Sequence, residues 1–248
     1  LDLAPLLVDD DIRAGYVDPA RLEFTDAEID AEAPGSAPFV GKACDRIPAE
    51  ELGRFLERLD GCGMLFAARD DGTPRCGFFC VRKKWSEEHG HWVLRLVLDR
   101  RPRNSLERHV HPAEDTVPHG VCFLDVVLGQ DEQLRIWATD LPVYYYSMQV
   151  TDARAKTNVF TEPLPTREFG HLAAVQDLRK REGVPGDREG DGLVVFCLRT
   201  MAMGDRNATV FGQAAHVQML RNGGALEPEH GEGSIAVRAL ATGQPADE

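Results

Sequence analysis

The stretch Ala138–Val150, ATDLPVYYYSMQV, places one carboxylate at the end of a strand-like run and sets three consecutive tyrosines behind it. Asp140 ends the run QLRIWATD, and an aspartate held by a strand offers Mg²⁺ a fixed oxygen ligand. The backbone carbonyl of Leu141 offers a second ligand, and Tyr145 is placed to press against a nucleotide sugar. The alternative is a buried strand with an edge carboxylate, followed by aromatic rings that pack into a core.

The chain has the composition of a soluble globular protein. Its 248 residues are 43% hydrophobic, which is enough for one large domain or two interleaved ones. No apolar run approaches the roughly 20 residues that a membrane helix needs, so we expect no membrane partner. The first residue is leucine and no signal peptide is visible, so we interpret the chain as a fragment that lacks an upstream segment.

The six cysteines do not form a metal-binding pattern. None lies in a Cys-x-x-Cys pair, and Cys76 and Cys80, four residues apart in a strand-like run, supply no complete ligand set. We therefore predict reduced thiols in an intracellular protein rather than a zinc site.

The acidic charge of the chain is unevenly distributed. Its net charge of −13 argues, taken alone, against a nucleic-acid ligand, because phosphates are bound by lysine and arginine. Between Arg82 and Arg108, however, eight basic and four acidic side chains give a local charge of +4. Since the position of charge matters more than its total, this segment remains available for phosphate contacts.

Hydrophobic periodicity predicts a mixture of helices and strands. Residues 1–45 are acidic and contain proline and glycine, so we expect a weakly structured leader or linker there. A helix is predicted over 48–63 from one apolar stripe: Leu52, Phe55, Leu56 and Leu59. Further helices are expected over 166–183 and 207–224, the latter with one apolar face: Val210, Ala214, Val217 and Leu220.

The strand-like runs lie between these helices. Residues 63–69, 77–84 and 92–99 read as strands joined by hairpins, and residues 133–140 and 191–200 read as two further strands. Because strands and helices do not alternate as regular βαβ units, the expected fold class is α+β.

A basic hairpin is the second candidate for chemistry. The stretch FFCVRKKWSEEHGHWVLRLVLDRRPRN, residues 78–104, ends one strand with Lys83 and Lys84 and carries Arg95 on the next. Such a hairpin can fold over a triphosphate, because arginine gives bidentate contacts and lysine a mobile point charge. The alternative is a solvated surface hairpin.

A glycine between a strand and a helix is the third candidate. In LRTMAMGDRNATVFGQAAH, residues 198–216, Gly204 permits a tight turn and the close approach of backbone to a ligand. Asp205 or Asn207 is placed to cap the helix that follows. A glycine at such a junction is also common in turns without any ligand.

Together, and in this order, the three stretches resemble the reverse transcriptase (RNA-directed DNA polymerase) family of the retrotransposon type, over about residues 46–225. The finger hairpin of that family matches six positions: Lys83, Lys84, Arg95, Asp99, Arg101 and Asn104. Its first palm motif matches Asp140, Tyr145 and Tyr146, and the next motif matches Met203, Gly204 and Gln213. The chain departs from the motif around Gly204 at two positions: Ala202, where proline is usual, and Met203, where glutamine is common.

The resemblance implies a role for each matching residue. Asp140, with the Leu141 carbonyl, would bind catalytic metal, and Tyr145 would exclude a ribose 2′-OH. Other residues would bind the incoming nucleotide: Lys83 or Lys84, Arg95, Met203 and Gly204. The remaining residues would be structural or would lie on the template side: Asp99, Arg101, Asn104, Tyr146 and Gln213.

The implied reaction is two-Mg²⁺ nucleotidyl transfer from a deoxynucleoside triphosphate to a primer 3′-OH on an RNA or DNA template. The family's third palm motif, aromatic-x-Asp-Asp, is missing after Leu220, so we expect the chain as given to be inactive and its reading frame to continue. The alternative is a non-catalytic polymerase fold that binds nucleic acid or a protein.

The resemblance also implies a right-hand polymerase fold, with an antiparallel palm sheet packed on helices and truncated before the third palm motif. The fingers would comprise residues 46–113 and 152–206, and a partial palm would comprise residues 114–151 and 207–248. The oligomeric state is not predicted.

Overall fold

The structure, a computed structural model, describes residues 1–25, 27–28, 43–44, 46–110, 127–130, 133, 141–184 and 192–224. Within these ranges the strands are β1 (Leu65–Ala68), β2 (Gly77–Ser86), β3 (His91–Asp99), β4 (Leu164–Pro165) and β5 (Leu193–Leu198). The α-helices are α1 (Asp10–Val17), α2 (Leu52–Gly61), α3 (Arg101–Asn104), α4 (Asp152–Lys156), α5 (Ala173–Glu182) and α6 (Ala208–Asn222). Short 3₁₀ helices span Ala4–Leu6, Pro19–Leu22, Ala49–Glu51, Tyr144–Ser147 and Thr166–Phe169. This mixture of helices and antiparallel strands confirms the predicted α+β class.

A three-stranded sheet forms the centre of the molecule. Its order is β1-β5-β4, both pairings are antiparallel, and Leu65 lies opposite Leu198. Side chains on the two sides of β5 enter different clusters, with Cys197 in one and Phe196 in the other. Because both faces of this sheet are buried, its strands read as continuous apolar runs without polar alternation.

The first hydrophobic cluster contains the N-terminal residues, which the sequence had indicated as a weakly structured leader. Leu3, Leu7 and Tyr16 are buried in it together with Phe211 of α6. Helix α1 begins at a side-chain cap, because Asp9 accepts hydrogen bonds from the backbone N–H groups of Asp11 and Ile12. For residues 1–25 the leader prediction is therefore corrected: a few widely spaced apolar side chains anchor an acidic segment into the core.

The second cluster lies on the other side of the sheet, beneath α2 and α5. Leu56 and Leu59 of α2 pack there, which matches the predicted apolar stripe. Helix α5 ends at Gly183, which has a left-handed φ of 67° and donates to Lys180. The helices predicted over 48–63, 166–183 and 207–224 are thus present, with a 3₁₀ turn preceding α2 and α5.

The β2–β3 hairpin projects from this body as a separate two-stranded sheet. Its strands are antiparallel: Gly77 lies opposite Asp99 at one end and Ser86 lies opposite His91 at the other, with a bulge between Arg82 and Lys84. The prediction that hairpins join all three early strands is wrong for β1, which pairs with β5 instead of β2. Among the described residues no helix is long and apolar enough to cross a membrane.

Candidate functional site

The turn at Met203 and Gly204 lies directly against strand β3. Gly204 has φ = +120°, and a Cβ built on it would lie 2.4 Å from the carbonyl oxygen of Leu98. The backbone N–H of Leu98 donates to the carbonyl of Met203 at 3.3 Å. The absence of a side chain at position 204 therefore allows the turn before α6 to pack against the backbone of the hairpin.

Asn104 holds this turn from the other side. Its Nδ2 donates to the carbonyl of Gly204 at 2.7 Å, and its Oδ1 accepts from the backbone N–H of Arg206 at 3.2 Å. The same Oδ1 accepts from Arg100 at 2.9 Å. The side chain thus fixes the Gly204 turn to helix α3, which is a structural role.

Asp99 and Arg101 form a second structural pair at the end of β3. Arg101 donates two hydrogen bonds to the Asp99 carboxylate, at 2.8 and 2.6 Å, and the backbone N–H of Cys44 donates a third at 2.6 Å. The hydrogen bonds from Arg101, with that of Cys44, lower the pKa of Asp99 below its usual range. The Asp99 carboxylate therefore stabilises the local structure at the end of β3.

A buried ionic network lies beneath these residues. Arg100 donates to Glu107 at 2.9 and 3.0 Å, and Arg103 donates to the same carboxylate at 2.8 Å. Burial acts to raise the pKa of Glu107, but the charge and hydrogen bonds of Arg100 outweigh it and lower that pKa to about 2. Arg100 also donates to Thr157 and Asn158, so the network connects the hairpin to the segment after α4.

This network changes the interpretation of the basic segment. Two of its arginines, Arg100 and Arg103, are buried and neutralised, and Arg101 and Arg108 pair with Asp99 and Glu28. The exposed positive charge of residues 82–108 is therefore concentrated in the hairpin. This network was not predicted from the sequence, although the four-residue spacings of Arg100–Asn104 and Arg103–Glu107 on a helical turn were an available signal.

Two of the four hairpin cations, Lys84 and Arg95, lie on one face of the hairpin, here called the basic face. Lys84 lies opposite Val93, and directly opposite residues of an antiparallel pair lie on the same face of the sheet. Arg95 lies on that face too, because it is two residues from Val93 along β3. Lys83 lies at the bulge. Lys83, Lys84 and Arg95 are exposed, and they make no ion pair within the described part of the chain.

The tyrosine segment meets the hairpin and α6. The Tyr146 hydroxyl donates to the carbonyl of Leu96, and the Tyr144 hydroxyl donates to the carbonyl of Gly212 at 2.8 Å. Burial raises the pKa of each hydroxyl to about 12, and the charge of Arg95 acts against this at Tyr146. A Cβ on Gly212 would lie 3.5 Å from Cε1 of Tyr145, so that ring packs against the helix that carries Gln213.

The structure places some of the predicted site residues on segments that adjoin β3, whereas Lys83 and Lys84 lie near the far end of the hairpin. Strand β3 contacts the Gly204 turn through Leu98 and the tyrosine helix (Tyr144–Ser147) through Leu96, and the tyrosine helix contacts α6 through Gly212. Asp140 lies outside the described residues, and Leu141 is exposed. Among the residues that the structure does describe, no group of three or more His, Cys, Asp or Glu side chains could hold a metal ion.

Comparison with known proteins adds no family assignment. No protein-family model matches the chain, and no curated protein matches it.

Proposed function

We propose that this chain carries the nucleotide-binding part of a reverse transcriptase-like polymerase, which adds deoxynucleotides to a primer 3′-OH. The observation that supports the proposal is the convergence of three segments far apart in sequence. The basic hairpin, the tyrosine helix and the Gly204 turn meet at β3, through the contacts of Leu96 and Leu98. These are the segments on which the resemblance to the family rests.

Each segment supplies a different kind of contact to a bound nucleotide. Arg95 and Lys84 offer the triphosphate charge-assisted hydrogen bonds from one face of the hairpin. Tyr145, held against α6, offers an aromatic edge to the sugar, and the turn at Gly204 has backbone but no side chain at its closest approach to β3. Positioning by such pre-arranged groups is the main contribution that a polymerase makes to phosphoryl transfer.

Magnesium enters the proposal through Asp140 and the Leu141 carbonyl. These are hard oxygen ligands of the kind that Mg²⁺ prefers, and two ions would require further carboxylates beside them. The carboxylate of Asp205 is not one of these, because it is buried 3.6 Å from both Arg100 and Arg154.

The binding of a deoxynucleoside triphosphate to purified chain tests the proposal. Replacement of Arg95 by glutamine removes a cation from the basic face, and a lost hydrogen bond to a charged group costs about 1.5–3 kcal/mol. We therefore expect R95Q to weaken binding about ten-fold or more, measured by isothermal titration calorimetry in the presence of Mg²⁺.

The matched control is Arg82→Gln, because Arg82 lies on the same hairpin and its loss changes the net charge equally. Arg82 pairs with Leu94 on the opposite face of the hairpin, so R82Q should leave nucleotide affinity within about two-fold of wild type. Equal weakening by both variants would show a diffuse electrostatic effect and would refute the assigned site. Failure of the wild-type chain to bind any triphosphate would leave the alternative, a polymerase-like fold that binds nucleic acid or protein without catalysis.

A further inference from the structure

The hairpin face opposite Lys84 and Arg95 carries two exposed tryptophans and is here called the aromatic face, consisting of Arg82, Trp85, Trp92 and Leu94. Trp85 lies opposite Trp92 in the register, and their rings meet edge to face with centroids 5.7 Å apart. Each tryptophan is 44% exposed, and the Arg82 guanidinium lies 5.3 Å from the Trp92 ring centroid. Two large aromatic rings and a cation are thus presented to solvent together, near the end of a projecting hairpin.

The aromatic face continues into a groove at the base of the hairpin. Cys80 and Leu96 form the next cross-strand pair along this face, and both line a groove of about 750 Å³ against α2. At about 3.3 Å per residue, Leu96 lies roughly 13 Å along the strand from Trp92. The groove combines aromatic side chains with arginines: Phe55, Phe78, Arg46, Arg54 and Arg58.

The charges along this path favour an anionic ligand. The hairpin strands and their turn contain four basic residues, Arg82, Lys83, Lys84 and Arg95, against Glu87, Glu88 and Asp99, the last of which pairs with Arg101. In the groove, Glu51 and Glu57 oppose three arginines, and Glu51 contacts Arg54 at 3.2 Å. Arg46 and Arg58 make no ion pair with a described residue, so they remain available to a ligand in a chain whose net charge is −13.

We propose that the aromatic face binds a single strand of nucleic acid, with bases stacked on Trp85 and Trp92 and phosphates near Arg82 and Arg46. Aromatic rings interleaved with cations suit a single strand because unpaired bases expose the ring faces that stack. A peptide or a lipid surface could contact the tryptophan rings, but it would not supply regularly spaced anions to the arginines along this path. The inference rests on the proposed function only in taking nucleic acid as a ligand of this chain, since it concerns the opposite face of the hairpin.

The test is the binding of the oligonucleotides dT₁₂ and rU₁₂, end-labelled with fluorescein, to the full chain by fluorescence anisotropy. Alanine in place of Trp85 or Trp92 should weaken binding about ten-fold each, because base stacking on aromatic side chains is lost. Phenylalanine at both positions should restore most of the affinity. Val93→Ala, on the opposite face next to Trp92, is the control and should leave affinity within about two-fold, with circular dichroism verifying the fold of every variant.

The two oligonucleotides distinguish RNA from DNA as the source of the strand. Binding of either one that depends on both tryptophans supports the proposal. It is overturned by a W85A/W92A variant that binds within two-fold of wild type, or by a wild-type chain that binds neither oligonucleotide. Oligonucleotide binding is measured separately from triphosphate binding, which depends on Arg95. Failure of this inference can therefore be distinguished from failure of the proposed function.

Discussion

Among the described glycines with positive φ, Gly204 is the one whose replacement by alanine should destabilise the protein most. The new Cβ would lie 2.4 Å from the Leu98 carbonyl oxygen, and the backbone at φ = +120° suits only glycine. Strain at such a backbone costs about 1–3 kcal/mol. Overpacking adds about 1–3 kcal/mol, so the free energy of unfolding should fall by about 4 kcal/mol.

Urea denaturation measures this loss. With a slope of about 3 kcal/mol per molar urea, the unfolding midpoint of G204A should lie roughly 1.3 M below that of wild type. Gly72→Ala is the matched control, because Gly72 has φ = +82° and no atom lies within 4 Å of its added Cβ. Gly72→Ala should lower the free energy of unfolding only by the strain of an L-residue at positive φ, about 1–2 kcal/mol. If G204A lowered the midpoint no more than G72A does, the close contact between the turn and β3 would be refuted.

The remaining predictions concern the network beneath the turn. Glu107→Gln should cost about 3 kcal/mol of stability, because it removes the charge of the buried carboxylate that Arg100 and Arg103 share. Of its described ion-pair partners, Arg100 then keeps only Asp205, at 3.6 Å, and Arg103 keeps only the half-exposed Glu23. The pKa of Glu107 is lowered from 4.5 to about 2, so its contribution is complete above pH 4.5 and is lost as the pH falls from there toward 2. Urea midpoints between pH 7 and pH 3 should therefore fall more steeply for wild type than for E107Q, and parallel curves would contradict this. Asn104→Asp removes the donor to Gly204 but keeps the acceptor, so it should cost less than Asn104→Ala, for which about 1–3 kcal/mol is expected; equal midpoints for the two variants would argue against the hydrogen bond.

Elements with a single apolar periodicity could be predicted from the sequence. Helix α2 follows from its stripe of leucines, and strand β5 follows from the run LVVFCL. The hairpin β2–β3 could be predicted because two long strand-like runs flank a polar stretch, although the strands extend further into that stretch than expected and leave a turn at 87–90. In these cases the local pattern and the tertiary environment require the same residues.

Long-range pairing could not be predicted in the same way. Strand β1 pairs with β5 across more than 120 residues, and a sheet buried on both faces has no polar alternation to specify partner or register. The N-terminal residues were interpreted as a leader because Leu3, Leu7 and Tyr16 are too widely spaced to form a periodic pattern. Their burial depends on a surface that only the folded core provides.

The candidate site also combines features that the sequence predicts with features that only the tertiary structure reveals. Gly204 was identified from its place between strand and helix, but its function as a contact point with Leu98 requires the tertiary structure. Arg100 and Arg103 were counted with the surface charge, because sequence alone does not reveal which arginines meet a buried carboxylate. Separation of the hairpin into a basic and an aromatic face depends on the bulge at Lys83, which shifts the register between the two strands.

The most direct test of the account is photochemical labelling of the chain with 8-azido-dATP, followed by mass spectrometry of the labelled peptides. The azide is carried by the base, so if the hairpin, the tyrosine helix and the Gly204 turn form one nucleotide site, the label should be found in the peptide that contains Met203. Labelling of that peptide should be displaced by unmodified dATP and strongly reduced in R95Q and in Tyr145→Ala. Labelling confined to other peptides, or labelling of the Met203 peptide that dATP does not displace or that both variants leave unchanged, would contradict the claim that the three segments bind a single nucleotide.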